Sequence, residues 1–169
     1  MTKGGHLLTT TALACVVYAH GQDPALAGGI VLGSSLPDVG EGVVGYFLGR
    51  RISLLAHRTI SHWLPVYVVA LFAIGAWGGS LAWWESDVVK GLCIGACFHI
   101  VLDSLTPAGV PLLTPFGRRV SFGPLRGNGK RWLYRTGTLE ELGVIAAVTL
   151  PMLAMLARAQ WIPLLRPLH

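Results

Sequence analysis

Residues 63–84 read WLPVYVVALFAIGAWGGSLAWW, an uncharged run with tryptophan at both ends. Twenty-one helical steps of about 1.5 Å give about 32 Å, the depth of a bilayer's hydrocarbon core, with Trp63 and Trp84 where aromatic belts form. This stretch predicts a membrane-crossing helix and sets the frame for the rest of the chain. A second apolar span is expected from about Val88 to Thr106, and a third from Leu142 towards Leu156 or, past Arg158, Leu165. Leu7–Ala19 and Pro24–Leu36 are shorter, about 13 residues each, and read as a helical hairpin broken at 20–24. The expected fold is all-α: a polytopic membrane helical bundle of about four to five apolar segments, forming one domain over residues 1–169.

Composition supports the membrane. Of 169 residues, 53% are apolar and 12% charged, and the mean hydropathy is +0.59. An ordinary soluble chain is about 25% charged, so this one cannot cover a water-facing surface with polar groups. The same numbers exclude a disordered chain or a charged coiled coil. Three cysteines, Cys15, Cys93 and Cys97, lie in apolar runs and act as small hydrophobes, with no disulfide framework implied. No cleavable signal peptide is expected, because Thr9-Thr10-Thr11 interrupts the first apolar stretch. Pairs such as Gly29/Gly33, Gly45/Gly49, Gly75/Gly79 and Gly91/Gly95 have the spacing that brings helix backbones together; they permit a homo-oligomer without requiring one.

The net charge of +5 is explained by topology rather than by nucleic acid. If the five segments alternate, one side receives Lys3, Arg50, Arg51, Arg58, Arg118, Arg119, Arg126, Lys130, Arg131 and Arg135. The other receives only Lys90, Arg158 and Arg166. That asymmetry places the N-terminus and the loops 38–62 and 107–141 in the cytoplasm.

The same side collects the chemistry. His6, Asp38, His57, His62, His99, Asp103 and Glu141 all fall at that membrane face. Ionisable groups beside apolar spans are costly and often mark function. His99 and Asp103 are the sharpest pair, because positions i and i+4 share a helix face and can grip one ion. Alone, such a pair also serves as an internal hydrogen bond; Asp38 after Pro37 also suits a turn, and Glu141 the first turn of a helix. His57 and His62 are five apart, and HRTISH is not the HExxH metalloprotease motif. Histidine and carboxylate without thiolate suit zinc first, then manganese or iron, and such ions activate water and polarise phosphoryl oxygens. Asp103 is the candidate bridging ligand and Glu141 the candidate ligand or general base. Arg58, Arg118 and Arg119 are candidates for holding an anionic phosphate, besides their part in the topology.

GHLL at 5–8, LPD at 36–38, HRTISH at 57–62, FHIVLDSLTPAGVPLLTPF at 98–116 and TGTLEE at 136–141 together resemble the YdjM-like family of bacterial inner-membrane metal-dependent hydrolases, over nearly the whole chain. The resemblance implies a helical inner-membrane hydrolase with a divalent cation, and the seven His and acidic residues above match the family's motif positions. The order of His and Asp is more distantly similar to zinc-dependent phospholipase C, which implies phosphoester cleavage. The family commonly has PDxDH where this chain reads Pro37-Asp-Val-Gly-Glu41, so Gly40 and Glu41 replace an aspartate and a histidine. That leaves one to three ions open and offers Glu41 as an oxygen ligand. The reading is a membrane-embedded hydrolase of a lipid or lipid-linked phosphoester, partnered by the bilayer and not by nucleic acid. A small metal or proton transporter, or a metal-stabilised scaffold, is the alternative.

Overall fold

The computed structural model describes residues 1–40, 46, 60–77, 82–111, 114–115, 117–126 and 131–161, with the backbone alone at 83, 84, 160 and 161. Its order is α1 (Lys3–Ala19), α2 (Pro24–Gly33), a 3-10 turn (Ile60–His62), α3 (Leu64–Trp77), α4 (Trp83–Ser104), a two-residue hairpin of β1 (Val110–Pro111) and β2 (Arg119–Val120), and α5 (Leu139–Trp161). The helical class therefore stands, and the antiparallel pair Val110↔Val120 is its one small strand ladder among the described residues.

Local chemistry sets the helix starts. The Thr2 side chain caps α1 by accepting from Gly5 N, and Asp23 caps α2 by accepting from Ala25 N at 2.6 Å, with Pro24 in the first turn where its missing N–H costs nothing. The hairpin break expected at 20–24 falls where α1 ends at Ala19 and Asp23 caps the start of α2. Residues 36–40 resume helix after a turn at 34–35.

The stretch 63–84 is not one helix. α3 ends at Trp77, and Ala82 is extended, with φ −57° and ψ 143°. Trp84 thus belongs to α4, which starts at Trp83 rather than near Val88; Glu85 in its first turn accepts from Ala82 N at 3.2 Å, the helix-start half of a capping box. Hydropathy is blind to this interruption, since neither the extended Ala82 nor the start of α4 at Trp83 changes the apolar character of the stretch. At 14 residues, α3 spans about 21 Å, short of a full crossing.

Among the described residues one helix, over Leu139–Ala159, is long and apolar enough to cross a membrane, where a bundle of about four to five apolar segments, the two N-terminal ones short for full crossings, was expected. α4 is long enough, but Glu85, Asp87 and Lys90 occupy its first turns. Only 6% of the apolar window of α5 is buried, so it is no core helix of a soluble protein. α3 has no buried residue, and Val69, Phe72 and Trp77 project outward from it. An apolar exterior of this extent calls for lipid or protein cover.

The densest contact is α2 on α4. A Cβ at Gly29 would lie 2.5 Å from Val88 O; one at Gly33 would strike Leu92, one at Gly91 would strike Leu26 O, and one at Gly95 would strike Ile30 O. These four glycines bring the two backbones together, as their spacing predicts. Gly75 has open space around its Cβ position, so it performs no such role here; Gly45, Gly49 and Gly79 lie outside the described residues.

α1 packs on α2 and α5. The segment after α4 closes over that helix's C-terminal end: Phe122 N donates to Ser104 O at 2.8 Å, Leu133 N to Leu105 O at 2.7 Å, and the buried Tyr134 hydroxyl to Leu102 O at 2.9 Å. Met1, Leu102 and Tyr134 form the buried apolar cluster beside the site, flanked by Phe98 and Ile145.

Candidate metal centre

Four distant segments deliver the site. His6 comes from the first turns of α1, Asp38 from the helical residues 36–40, His62 from the end of the 3-10 turn, and His99 and Asp103 from one face of α4, a turn apart. His6, His62, His99 and Asp103 are each at most 4% exposed, whereas the Asp38 side chain is 36% exposed and marks the opening. Buried histidines and a buried carboxylate need partners, and here they face one another.

The distances define the arrangement. Asp103 Oδ2 lies 3.6 Å from His99 Nε2 and 3.7 Å from His62 Nε2. Asp38 Oδ1 lies 3.8 Å from His99 Nε2 and 3.7 Å from His62 Nε2. Ligands about 2.1 Å from a tetrahedral zinc stand about 3.4 Å apart, so these donors need to close by only a few tenths of an ångström. The other Asp103 oxygen, Oδ1, meets His6 Nε2 at 3.1 Å and accepts from the Met1 α-amino group at 2.8 Å. His6, His99 and Asp103 form one ligand-competent group and Asp38, His62 and His99 another, with each group's donor atoms within 4.8 Å of one another. His99 is common to both, and the His6 and His99 rings stack with centroids 3.7 Å apart.

The ring of His99 is held in one orientation. Its Nδ1–H donates to the Ser34 carbonyl at 2.6 Å, which fixes the tautomer and leaves the Nε2 lone pair facing the cluster. That Nε2 is fully buried and has no hydrogen-bond partner. On the other imidazole, Ser61 Oγ lies 3.2 Å from His62 Nδ1, and Tyr67 donates to Ser61 O at 2.9 Å, bracing the turn. A buried imidazole nitrogen aimed at two carboxylates, with its far nitrogen hydrogen-bonded to a carbonyl, fits a divalent cation of borderline hardness such as zinc, manganese or iron(II). None of the three cysteines belongs to either group.

The remaining expected residues fall elsewhere. Glu141, 2% exposed, joins neither group: one oxygen accepts from Thr2 N and the other from Gly137 N. It ties the start of α5 to the residue that caps α1 and so fixes His6 indirectly. His57, Arg58 and Glu41 lie outside the described residues. Arg118 and Arg119 are exposed, Arg119 on β2, and neither lines the cavity above the cluster. That cavity, of about 170 Å³, is lined by Lys3, His6, Ser34, Ser35, Asp38, Val39 and His99. Sequence reasoning missed Lys3 and the two serines. Recognising Thr2 as a cap would have put Lys3 three residues before His6 on the same side of a helix; no sequence signal points to the Ser34 carbonyl.

The profile of a family described as YdjM inner membrane protein matches residues 1–162. The chain is 35% identical over 134 residues to "Inner membrane protein YdjM" of Escherichia coli (strain K12), an alignment covering 68% of this chain and 66% of that protein. The Shigella flexneri protein of the same name matches to the same extent. The aligned region thus spans just under two thirds of these relatives' length. "Uncharacterized protein YvsG" of Bacillus subtilis (strain 168) is 29% identical over 155 residues, 86% of each chain. No solved structure matches.

Proposed function

This chain belongs to the YdjM inner membrane protein family, and on that premise we propose that it is a metal-dependent hydrolase built into the inner membrane, acting on the phosphoester of a lipid or lipid-linked substrate. One observation carries the reading: Asp38 and Asp103, from separate stretches of chain, each bring a carboxylate oxygen within 3.6–3.8 Å of the Nε2 atoms of the buried His62 and His99. A bare hydrogen-bonded core needs no such convergence, and would not leave the buried Nε2 of His99 without a hydrogen bond.

In this reading Asp38, His62, His99 and Asp103 would hold one divalent ion, with the single free lone pair of His99, at Nε2, as one donor. His6 and Asp103 Oδ1 would offer donors for a second ion without His99. A divalent ion in such a set acidifies water and polarises a phosphoryl oxygen. The chain's own residues orient and confine: Ser34 O fixes the His99 ring, Glu141 holds Thr2 and with it the start of α1, and the burial of His62, His99 and Asp103 keeps bulk water to the Asp38 side.

α5 crosses the bilayer, and the shorter apolar helices α2 and α3 lie embedded beside it. The bias of Lys and Arg towards the N-terminus and the 38–62 and 107–141 loops of the sequence supports an opening on the cytoplasmic side. A substrate already in the bilayer then reaches the centre from the lipid–water boundary. A transporter is disfavoured because neither α2 nor α3 contains a charged residue to continue a polar path.

The test is purification in detergent, zinc loading and assay against a panel of lipid phosphoesters. Wild type is expected to hold zinc and release phosphate or a phosphorylated headgroup, while Asp103→Ala loses both. Wild type without bound metal, or an Asp103→Ala variant with full turnover, contradicts the proposal. A zinc-stabilised chain with no turnover on any phosphoester supports the scaffold reading instead.

A further inference from the structure

The cavity above the ligand cluster has a cation at its mouth. Lys3 opens α1 directly after its cap Thr2, three residues before His6, and both line the space. It is the one Lys or Arg of the described residues in that lining, and its side chain is exposed, able to reach inward. The floor contains the fully buried Nε2 of His99, which makes no hydrogen bond and faces the Asp38 and Asp103 carboxylates.

Size narrows what enters. About 170 Å³ is well below the roughly 300–1,000 Å³ that encloses a whole drug-sized ligand, and equals the liquid volume of about six waters. That is room for a phosphoryl group with its ester oxygen, the rest of the molecule leaving through the open side. Charge agrees: a terminal phosphate carries about −1.5 to −2 at neutral pH, a better match for a metal cluster plus an ammonium than a singly charged diester. The rim continues as apolar surface. Leu7, one helical turn beyond Lys3 on the same face of α1, is 50% exposed, and Val39 on the cavity edge is 56% exposed.

Resting on the hydrolase reading above, we propose that Lys3 determines specificity by binding the terminal phosphate of a lipid phosphomonoester, whose apolar chain leaves the cavity over Leu7 and Val39. The Lys3 ammonium donates to a non-bridging phosphoryl oxygen. In hydrolysis a water oxygen bonds to phosphorus, the bond from phosphorus to the ester oxygen breaks, and that oxygen takes a proton from the water. A lipid alcohol and inorganic phosphate are the products.

The experiment titrates the full chain, zinc-loaded in detergent, with dihexanoyl phosphatidate, dihexanoyl phosphatidylcholine and inorganic phosphate, and measures zinc content and thermal unfolding alongside. The proteins are wild type, Lys3→Met, Lys3→Arg and, as a distant control, Lys90→Met. Phosphatidate is expected to bind wild type at least about tenfold more tightly than either other probe. Lys3→Met should weaken phosphatidate and phosphate about ten- to hundredfold, the range of a lost charged hydrogen bond, with zinc and unfolding temperature unchanged. Lys3→Arg should restore most of this, and Lys90→Met should match wild type. Unchanged binding in a zinc-loaded Lys3→Met protein overturns the role of Lys3 alone. Equal affinity for phosphatidylcholine overturns monoester selection, and equal affinity for free phosphate overturns the lipid as its source. A wild type that takes up no zinc overturns the hydrolase reading together with this inference.

Discussion

Replacing His99 by alanine removes the one side chain that both ligand groups share, so its effect on metal-linked stability follows from the geometry. Loss of a partner outside the ligand set already costs 10–100-fold in metal affinity, and loss of a ligand should raise the dissociation constant by at least about 100-fold. With free zinc at about 100 times the wild-type constant, binding stabilises the fold by about 2.7 kcal/mol. In His99→Ala the same zinc concentration gives about 0.4 kcal/mol, since ligand and constant are then equal. For a chain of this length 1 kcal/mol moves the unfolding temperature by about 2–4 °C, so the zinc-induced rise should fall from about 5–11 °C to about 1–2 °C. The assay is thermal unfolding of both proteins in the same detergent, with chelator and with zinc. An equal zinc-induced rise in the two proteins would refute the shared-ligand arrangement.

Glu141→Gln replaces one of two acceptor oxygens with an amide that faces a backbone N–H, and should lower stability by about 1–3 kcal/mol in denaturant titrations while zinc content stays at the wild-type level. Loss of zinc in that variant would make Glu141 a ligand instead. Gly95→Ala drives a Cβ into Ile30 O and against Ser34 N, so thermal unfolding should show overpacking of about 1–3 kcal/mol, and zinc titration a weaker affinity as Ser34 shifts under His99. Gly75→Ala, with open space, should instead be neutral or stabilising by up to about 1 kcal/mol. Acidification should weaken zinc binding, because protons and metal compete for the same imidazole nitrogens; titrations at pH 7.5 and 5.5 in which affinity does not fall would argue against histidine ligands.

The most legible part of the site was the pair His99 and Asp103, because helical periodicity alone puts positions i and i+4 on one face. The turn at 20–24 was legible as well, since Asp23-Pro24 is a helix start written in the sequence. The grouping of His6, Asp38 and His62 followed from alternation of apolar segments, although 63–84 was read as one helix and α1, α4 and α5 begin earlier than expected. Trp63 to Trp84 has the length and ends of a crossing, but hydropathy does not register the extended conformation of Ala82 or the cap that Glu85 gives α4. Glu141 was grouped with the ligands because topology gives the membrane face and not the direction of a side chain; its hydrogen bonds turn it towards Thr2 and Gly137. Ser34 acts through a carbonyl that every residue has, so nothing in the residue type points to it.

The most direct test is the metal content of the full chain, purified in detergent, loaded with zinc and freed of excess, with X-ray absorption at the zinc edge to identify the donor atoms. At least about one zinc per chain, bound by nitrogen and oxygen at about 2.0–2.2 Å with no sulfur, is the expected result. A chain that retains no zinc, or that binds it through the thiols of Cys93 and Cys97, would contradict the account.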